Sequence, residues 1–312
     1  MQSQRSLPFL ERQNLLNLAI AALLTALYAP LLLHWVDGWI HKSISIEHEY
    51  FSHGLIGLPL AAYIVWEKRK KWQRLRDRAH PLGAFLLVLG TIFYLTGLSE
   101  WTNLSFPVIL AGLCLWLKGI EGFKLLSFPL LLVFLATPNA IPYLLAPYTL
   151  PLQTFIATMA GFILIQFGIP VQVEGIYLTV GGRLVEVAPY CAGLKMLFTS
   201  LYVALMLLYW TDTLRSRRKT ILLLLGAIAI SISGNIVRNT LLTYFHGTGN
   251  EGAFAWLHEG WGGDVYSTCM LGLIVVLLEV IKYFDRNPAP MKEQPEPSPV
   301  AEPTETPEES NP

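Results

Sequence analysis

The sequence predicts an all-α polytopic membrane protein with about eight transmembrane helices, and three observations support this fold class. Of the 312 residues, 53% are hydrophobic and only 14% are charged, whereas roughly 25% of the residues in a soluble domain are charged. Long apolar runs, such as 15–36, 220–245 and 264–284, reach the roughly 20 residues that cross a bilayer core. Basic residues are concentrated in short segments between these runs. Because the net charge is zero and no basic domain stands apart, nucleic acid is not an expected partner.

The basic segments predict how the chain is oriented in the membrane. Segment 67–80 contains seven Lys or Arg residues, and segment 215–219 contains four more. Such clusters remain on the cytoplasmic side of a membrane. Lys282 and Arg286 follow the last apolar run and are expected on the same side. We therefore predict that both termini are cytoplasmic.

The spans are assigned in chain order from these anchors. No small-residue cleavage site follows the first apolar run, so we interpret this run as a retained span rather than a signal peptide. Alternating outward and inward crossings then give eight spans, at about 15–36, 51–66, 82–98, 104–118, 124–137, from 191 to the cluster at 215, 219–245 and 264–284.

Two segments are not assigned as spans. Segment 138–189 must cross the membrane an even number of times, and zero is the simplest number. Prolines at 138, 142, 147, 151 and 170 favour an interfacial or re-entrant helix, and alternation over 171–187 around Gly181-Gly182 predicts a short extracytoplasmic hairpin. The chain is then divided into a transmembrane domain over 1–286 and a disordered, Pro- and Glu-rich cytoplasmic tail over 287–312.

One cysteine lies in a setting that favours reactivity. Pro189 suits the first turn of a helix, so Cys191 is expected near a helix N-terminus, where the helix dipole stabilises a thiolate. Lys195, four residues later, would lie on the same helical face and favour the thiolate further. The alternative is a small buried apolar side chain, which is what we expect of Cys114 and Cys269.

A cation and a histidine are candidates for the same outward-facing site. Arg238 lies within an apolar helix, where an unpaired charge costs several kcal/mol, and Asn235 gives the same face a polar character. His258 lies in the loop before the last span and is followed by Glu259. His246 is a competitor for its role. His53, at the outer start of the second span, is either part of the site or a feature of the helix entry.

These residue types match the chemistry of a cysteine enzyme. A thiolate attacks a carbonyl, an imidazole moves the proton, and a guanidinium stabilises the oxyanion. Three other hypotheses remain open: a transporter or channel, a metalloenzyme using Cys191, His258 and Glu259, and a membrane acyltransferase using His258 and His53. Nothing in the sequence indicates a metal or an organic cofactor.

The motifs resemble those of the exosortase/archaeosortase family, and the sequence around the cysteine is similar to that of the cyanobacterial branch. Family members usually have Ser where this chain has Ala192, so the resemblance requires no hydroxyl at that position. The similarity runs from about residue 45 to 284. It rests on Phe51-Ser52-His53-Gly54, Gly168-Ile169-Pro170, Glu174-Gly175, Cys191-Ala192-Gly193-Leu194-Lys195, Asn235-Ile236-Val237-Arg238 and His258 with Gly260.

The resemblance implies a transpeptidase of the plasma membrane with its active site on the extracytoplasmic face. Cys191 is then the nucleophile, Arg238 stabilises the transition state and His258 is the acid/base. The implied partners are membrane lipids and secreted proteins that end in a sorting signal, which comprises a Pro-Glu-Pro-like motif, a transmembrane helix and a basic cluster. The enzyme would cleave near the motif and transfer the protein to an acceptor.

Overall fold

The computed structural model describes residues 9–41, 50–188, 193–258 and 260–286. The helices of these ranges are α1 (Phe9–His41), α2 (Gly54–Glu67), α3 (Arg69–Arg74), α4 (Pro81–Leu95), α5 (Ser99–Ala136), α6 (Ile141–Leu145), α7 (Leu150–Gln166), α8 (Leu194–Trp210), α9 (Arg217–Gly247), α10 (Glu251–His258) and α11 (Trp261–Arg286). Three strands, β1 (Val171–Glu174), β2 (Tyr177–Val180) and β3 (Arg183–Glu186), separate α7 from α8. The predicted tail, 287–312, lies outside the described residues.

The predicted fold class is confirmed. Within the described ranges, five helices are long and apolar enough to cross a membrane. Three shorter apolar helices, α2, α4 and α8, coincide with further predicted spans. Large apolar side chains remain exposed along these helices, for example Leu18 at 68% and Leu95 at 75%, as expected where lipid replaces water as the solvent.

The longest helix contains two predicted spans. A straight helix of the 38 residues of α5 would be roughly 57 Å long, about twice the thickness of the hydrocarbon core. Gly119 interrupts it with φ 63° and ψ −155°. A Cβ atom at Gly122 would lie 3.2 Å from the carbonyl oxygen of Cys114, although an intact helix separates such positions by about 12 Å. The chain therefore reverses at Gly119, inside the boundary predicted between the fourth and fifth spans.

The two halves of α5 pack against α4 and α2. A Cβ atom at Gly83 would lie 2.5 Å from the backbone of Trp116, and one at Gly90 would lie 2.5 Å from Ile109, so α4 runs antiparallel to the first half. Lys68 at the end of α2 donates to Leu125 near the start of the second half (2.9 Å). These contacts agree with the predicted directions of the second to fifth spans.

The three strands form one antiparallel sheet in the order β1-β2-β3. Val171 pairs with Val180, which in turn pairs with Arg183 across the Gly181-Gly182 turn. The predicted hairpin is therefore correct in position, and β1 adds a further strand. A Cβ atom at Gly247 would lie 2.5 Å from Val180 Cβ, so the sheet lies against the end of α9.

Helix α7 is an apolar helix in addition to the eight predicted spans. It belongs to the segment for which we expected an interfacial or re-entrant helix, and the window 147–166 has the length and hydropathy of a span. Ile156, Ala157 and Ala160 of α7 form a buried cluster with Leu178 of the sheet and Ile236 of α9. Helix α7 therefore packs where the sheet covers the second half of α9.

Helices α8, α9 and α11 form the part of the bundle that positions the site. Leu208, Leu223 and Leu278, one from each helix, belong to a fully buried cluster at one end. At that end Lys219 pairs with Asp285, so the basic segments predicted to be cytoplasmic lie together. The opposite ends of the three helices meet around Arg238.

Candidate active site at the end of α9

The chain before Cys191 is held by buried hydrogen bonds. The Val187 amide donates to the Ile176 carbonyl (2.9 Å), and its carbonyl accepts from Gln153 Nε2 (2.8 Å). Gln153 and Val187 are 3% and 0% exposed, so these bonds are shielded from water and the position of residue 187 is well defined. Cys191 lies outside the described residues, together with its neighbours at 189, 190 and 192.

The chain after Cys191 packs directly on α9. Gly193 is the N-cap of α8 and has φ 85°, a conformation that glycine adopts without steric cost. A Cβ atom there would lie 2.7 Å from Asn235 Cγ, so glycine is required for contact as well as for conformation. Asn235 is 1% exposed. The chain at Gly193 therefore packs against α9 one turn before Arg238.

The start of α8 differs from the sequence-based expectation. The helix begins at Leu194 behind a left-handed Gly193, whereas Pro189 was expected in its first turn. Cys191 lies two positions before this N-cap in the sequence and outside the described residues, so its placement relative to Lys195 stays a prediction. Lys195 lies in the first turn of α8 and is half-buried.

Arg238 connects α9 to the turn between α10 and α11. Its Nη2 lies 3.5 Å from the Leu257 carbonyl oxygen and 3.4 Å from that of His258. A Cβ atom at Gly263 would lie 3.6 Å from the same nitrogen. The Nε atom is buried and has no hydrogen-bond partner among the described residues. The guanidinium therefore faces the His258 turn, and its Nε–H has no acceptor among the described residues.

The imidazole of His258 is oriented by an aromatic neighbour. Its ring stacks on Phe254, with centroids 5.1 Å apart and planes 11° apart. The His246 ring lies on the same phenylalanine at 5.3 Å. Both candidate histidines are therefore near the site, but only His258 belongs to the turn that Arg238 contacts.

His246 takes part in an ion-pair cluster of its own. Its Nδ1 lies 3.4 Å from Glu251 Oε2, and Glu251 also pairs with Arg183 of β3. Arg183 in addition donates to the His246 carbonyl (3.3 Å). This cluster joins the sheet to the start of α10.

His53 is buried away from Arg238. Its Nε2 lies 3.1 Å from the Leu135 carbonyl oxygen of α5, and its ring is 4.4 Å from that of Tyr202 in α8. The preceding Phe51 packs with Leu194 at the start of α8. The entry to α2 thus packs against both α5 and α8, and the role of His53 stays a prediction.

The described residues bring together three of the predicted site residues and Gly193 of the cysteine motif. Gly193 contacts Asn235, Asn235 lies one turn before Arg238, and Arg238 contacts the backbone of His258. His53 is not part of this chain of contacts, and Glu259 lies outside the described residues. A family model described as a transmembrane exosortase matches residues 35–275.

The chain belongs to the transmembrane exosortase family. The match covers the candidate residues at 191, 238 and 258 and is made at the level of the family, so the cyanobacterial branch stays a prediction. No curated protein and no solved structure matches the chain.

Two residues of this exosortase site were not anticipated from the sequence. The Tyr266 hydroxyl donates to the Gly234 carbonyl, one turn before Arg238, and Gln153 holds the chain before Cys191. Tyr266 lies in the first turns of an apolar span, and Gln153 is an amide in the first turn of an apolar helix. A polar group in such a run is the one signal that was available, because neither residue lies in a motif.

The described part of the exosortase contains no group of three His, Cys, Asp or Glu residues that could hold a metal ion. Of the three ligands in the metalloenzyme hypothesis, His258 is described, whereas Cys191 and Glu259 are not.

Proposed function

We propose that this exosortase family member is a membrane-embedded cysteine peptidase and transpeptidase that cleaves the C-terminal sorting signals of secreted proteins. The observation that carries the proposal is the contact series Gly193–Asn235–Arg238–His258. Gly193, two positions after Cys191, contacts the helix that carries Arg238. The Arg238 guanidinium in turn contacts the turn that carries the His258 imidazole.

In the proposed first step, the Cys191 thiolate attacks the carbonyl carbon of the scissile peptide bond. A C–S bond forms, and the carbonyl electrons move to oxygen as an oxyanion. The intermediate collapses to a thioester as the C–N bond breaks, and the leaving amine takes a proton from the His258 imidazolium. In the second step, a nucleophilic acceptor gives its proton to His258 and attacks the thioester, which releases the thiolate.

Arg238 suits the stabilisation of the oxyanion. A guanidinium donates from a planar fork and keeps its charge at any physiological pH. Its buried Nε lacks an acceptor among the described residues, and Nη2 makes only long contacts with two carbonyls. The developing negative charge would therefore meet a donor held in place before the reaction, which is the condition for strong electrostatic catalysis.

The proposed location follows from the charge pattern. With the clusters near 67–80 and 215–219 in the cytoplasm, Arg238 lies at the outer end of the bundle and both chain termini lie inside. A secreted substrate in the plasma membrane would then present its Pro-Glu-Pro-like motif at the level of the site. Its basic cluster would remain on the cytoplasmic side.

The experiment that tests the proposal is capture of the acyl-enzyme. Full-length protein in detergent is incubated with a peptide containing a Pro-Glu-Pro motif, quenched in acid and mapped by mass spectrometry. We expect a thioester on Cys191, lost after prior alkylation of that residue. An acyl group on Cys114 or Cys269, or cleavage that survives complete alkylation of Cys191, would refute the proposal.

A further inference from the structure

A cleft lies at the end of the bundle opposite to Arg238. It has a volume of about 570 Å³ and opens between α2–α3 and the connection from α8 to α9. Three basic and three aromatic residues are prominent in its lining: Tyr63, Lys68, Lys71, Tyr209, Trp210 and Arg215. Nothing in the proposed reaction uses this cleft, so its basic lining needs a separate explanation.

Lys68 is held in position at the wall of the cleft. Its Nζ donates to the Leu125 carbonyl (2.9 Å) and lies 5.3 Å from the centroid of the Tyr209 ring. An ammonium group has three N–H donors, and the carbonyl accepts from one of them. The others can serve an anionic ligand without a change of rotamer, which lowers the entropic cost of binding.

The charges around the cleft favour an anion. Its acidic residues are Glu67 and Asp212, and Asp212 Oδ1 already lies 3.4 Å from Arg215 Nε. The three basic residues of the lining outnumber the two acidic ones, one of which is already paired. Positive potential therefore dominates the region.

Aromatic side chains indicate that the cleft lies at the level of lipid headgroups. Tyr63 stacks with Trp210 at 6.4 Å, and Trp66 lies beside Tyr63 and under the Arg69 guanidinium. Tyr63, Trp66 and Trp210 are 50%, 58% and 69% exposed. Exposed Tyr and Trp at the ends of apolar helices are typical of a membrane–water interface.

We propose that the cleft binds the phosphate group of an anionic phospholipid on the face predicted to be cytoplasmic. Lys68, Lys71 and Arg215 contact the phosphate, and the acyl chains lie along α2 and α8. Basic pockets between helices on this side of a membrane recognise anionic headgroups. The inference does not depend on the proposed peptidase activity.

The test measures lipid preference in the intact protein. Full-length protein is placed in nanodiscs of phosphatidylcholine, with or without phosphatidylglycerol, and the lipids retained on release are counted by native mass spectrometry. We expect preferential retention of phosphatidylglycerol and a higher Tm in its presence. The double variant K68Q/K71Q should weaken the preference roughly 25-fold, since each basic residue at an anionic surface contributes roughly fivefold.

Two variants make the result specific to the cleft. K70Q/R74Q removes the same charge from α3 at positions outside the lining and should leave the preference within about twofold. An equal loss in both double variants would attribute binding to diffuse surface charge and overturn the proposal. K71Q alone changes an exposed side chain and leaves the Lys68 contacts intact. It should weaken the preference for phosphatidylglycerol roughly fivefold.

Two further probes separate the alternative ligands. If inorganic phosphate raises Tm in phosphatidylcholine nanodiscs as much as phosphatidylglycerol does, the site takes a free phosphate and the lipid assignment is wrong. If oligolysine raises Tm instead, and E67Q/D212N removes that effect, the cleft is a site for a basic peptide and the proposal fails.

Discussion

Two cations are enclosed at opposite ends of the bundle, and their surroundings differ. Lys118 is 7% exposed, and its Nζ donates to Asp77 Oδ1 at 2.6 Å and to the Leu75 carbonyl at 2.9 Å. Arg238 has only the long contacts of Nη2 with two carbonyls, and no carboxylate in the described ranges lies within salt-bridge distance of it. Lys118 is neutralised by Asp77, whereas Arg238 has no carboxylate partner among the described residues.

This difference separates a structural cation from the one that we propose to be functional. A buried charge without a partner is costly in a membrane protein, so it persists where a ligand or a reaction uses it. Lys118 joins the loop after α3 to the reversal at Gly119, and its contacts account for it completely. The contacts of Arg238 leave donors unused, in the region where the chain returns from Cys191.

The largest loss of activity is expected when the proposed nucleophile, Cys191, is removed. Cys191→Ala should lower cleavage of a tagged sorting-signal substrate in membranes by about 10⁴-fold or more, because no other group forms the covalent intermediate. Cys114→Ala and Cys269→Ala are the matched controls and should retain activity within about twofold. A comparable loss in Cys114→Ala would mean that the wrong thiol has been assigned.

Arg238→Ala should lower the same activity by about 10³-fold, the upper range for the loss of an oxyanion donor. Arg238→Lys keeps the charge but loses the planar fork, and should recover less than a tenth of the lost activity. Turnover per folded molecule, normalised to a solubilised monodisperse fraction, is the measurement. Full activity in Arg238→Lys would show that the charge alone matters.

His258→Ala should lower turnover by about 10²-fold or more, as for a lost general acid. His246→Ala should lower turnover by less than about fivefold. His246 supports the Glu251–Arg183 cluster, so its loss should lower Tm more than it lowers turnover. If His246→Ala lowers turnover more than His258→Ala does, the acid/base role belongs to His246.

Gly193→Ala should lower turnover about tenfold and the stability by about 1–2 kcal/mol, since φ is positive and the new methyl group meets Asn235. Gly97→Ala is the matched control, because Gly97 has φ 67° and a methyl group added there would have no atom within 4 Å. Adding Asn235→Ala to Gly193→Ala should relieve the clash and restore part of the stability. No recovery in the double variant would show that the conformational cost alone is responsible.

Lys118→Met completes the comparison with the smallest expected effect on turnover. Loss of two hydrogen bonds to a charged group should lower the stability by about 1–2 kcal/mol, discounted because Asp77 is 55% exposed. Turnover per folded molecule should remain within about twofold of the parent, as measured alongside Tm. A large loss of turnover at unchanged Tm would contradict the structural role.

The fold was largely predictable because lipid imposes simple rules on the sequence. Apolar length and basic clusters indicated the spans on either side of Gly119, and alternation indicated the sheet. The start of α8 was predicted too early because proline was interpreted as a first-turn residue, whereas left-handed Gly193 is what begins the helix. Local propensity does not reveal that Asn235 occupies the space beside this glycine.

The sequence predicted the site as a set of residues but gave no contacts between them. Arg238 was singled out because charge is rare in apolar runs, and His258 because it lies in the loop before the last span; both lie where α9, α10 and α11 meet. Gln153 and Tyr266 did not stand out, since their roles depend on backbone carbonyls that are distant in sequence. His53 has the same residue type as His258, and only its burial against α5 and α8 separates the two.

The bond between the Arg238 guanidinium and the His258 backbone has a mechanical consequence. In the proposed reaction, a substrate oxygen would accept from the Nε–H group, which has no acceptor among the described residues, while Nη2 stays on the carbonyls of the α10–α11 turn. One side chain would then attach the substrate carbonyl to the turn that carries the imidazole. A displacement of either would be transmitted to the other, so the carbonyl carbon and the proton donor would keep a fixed separation.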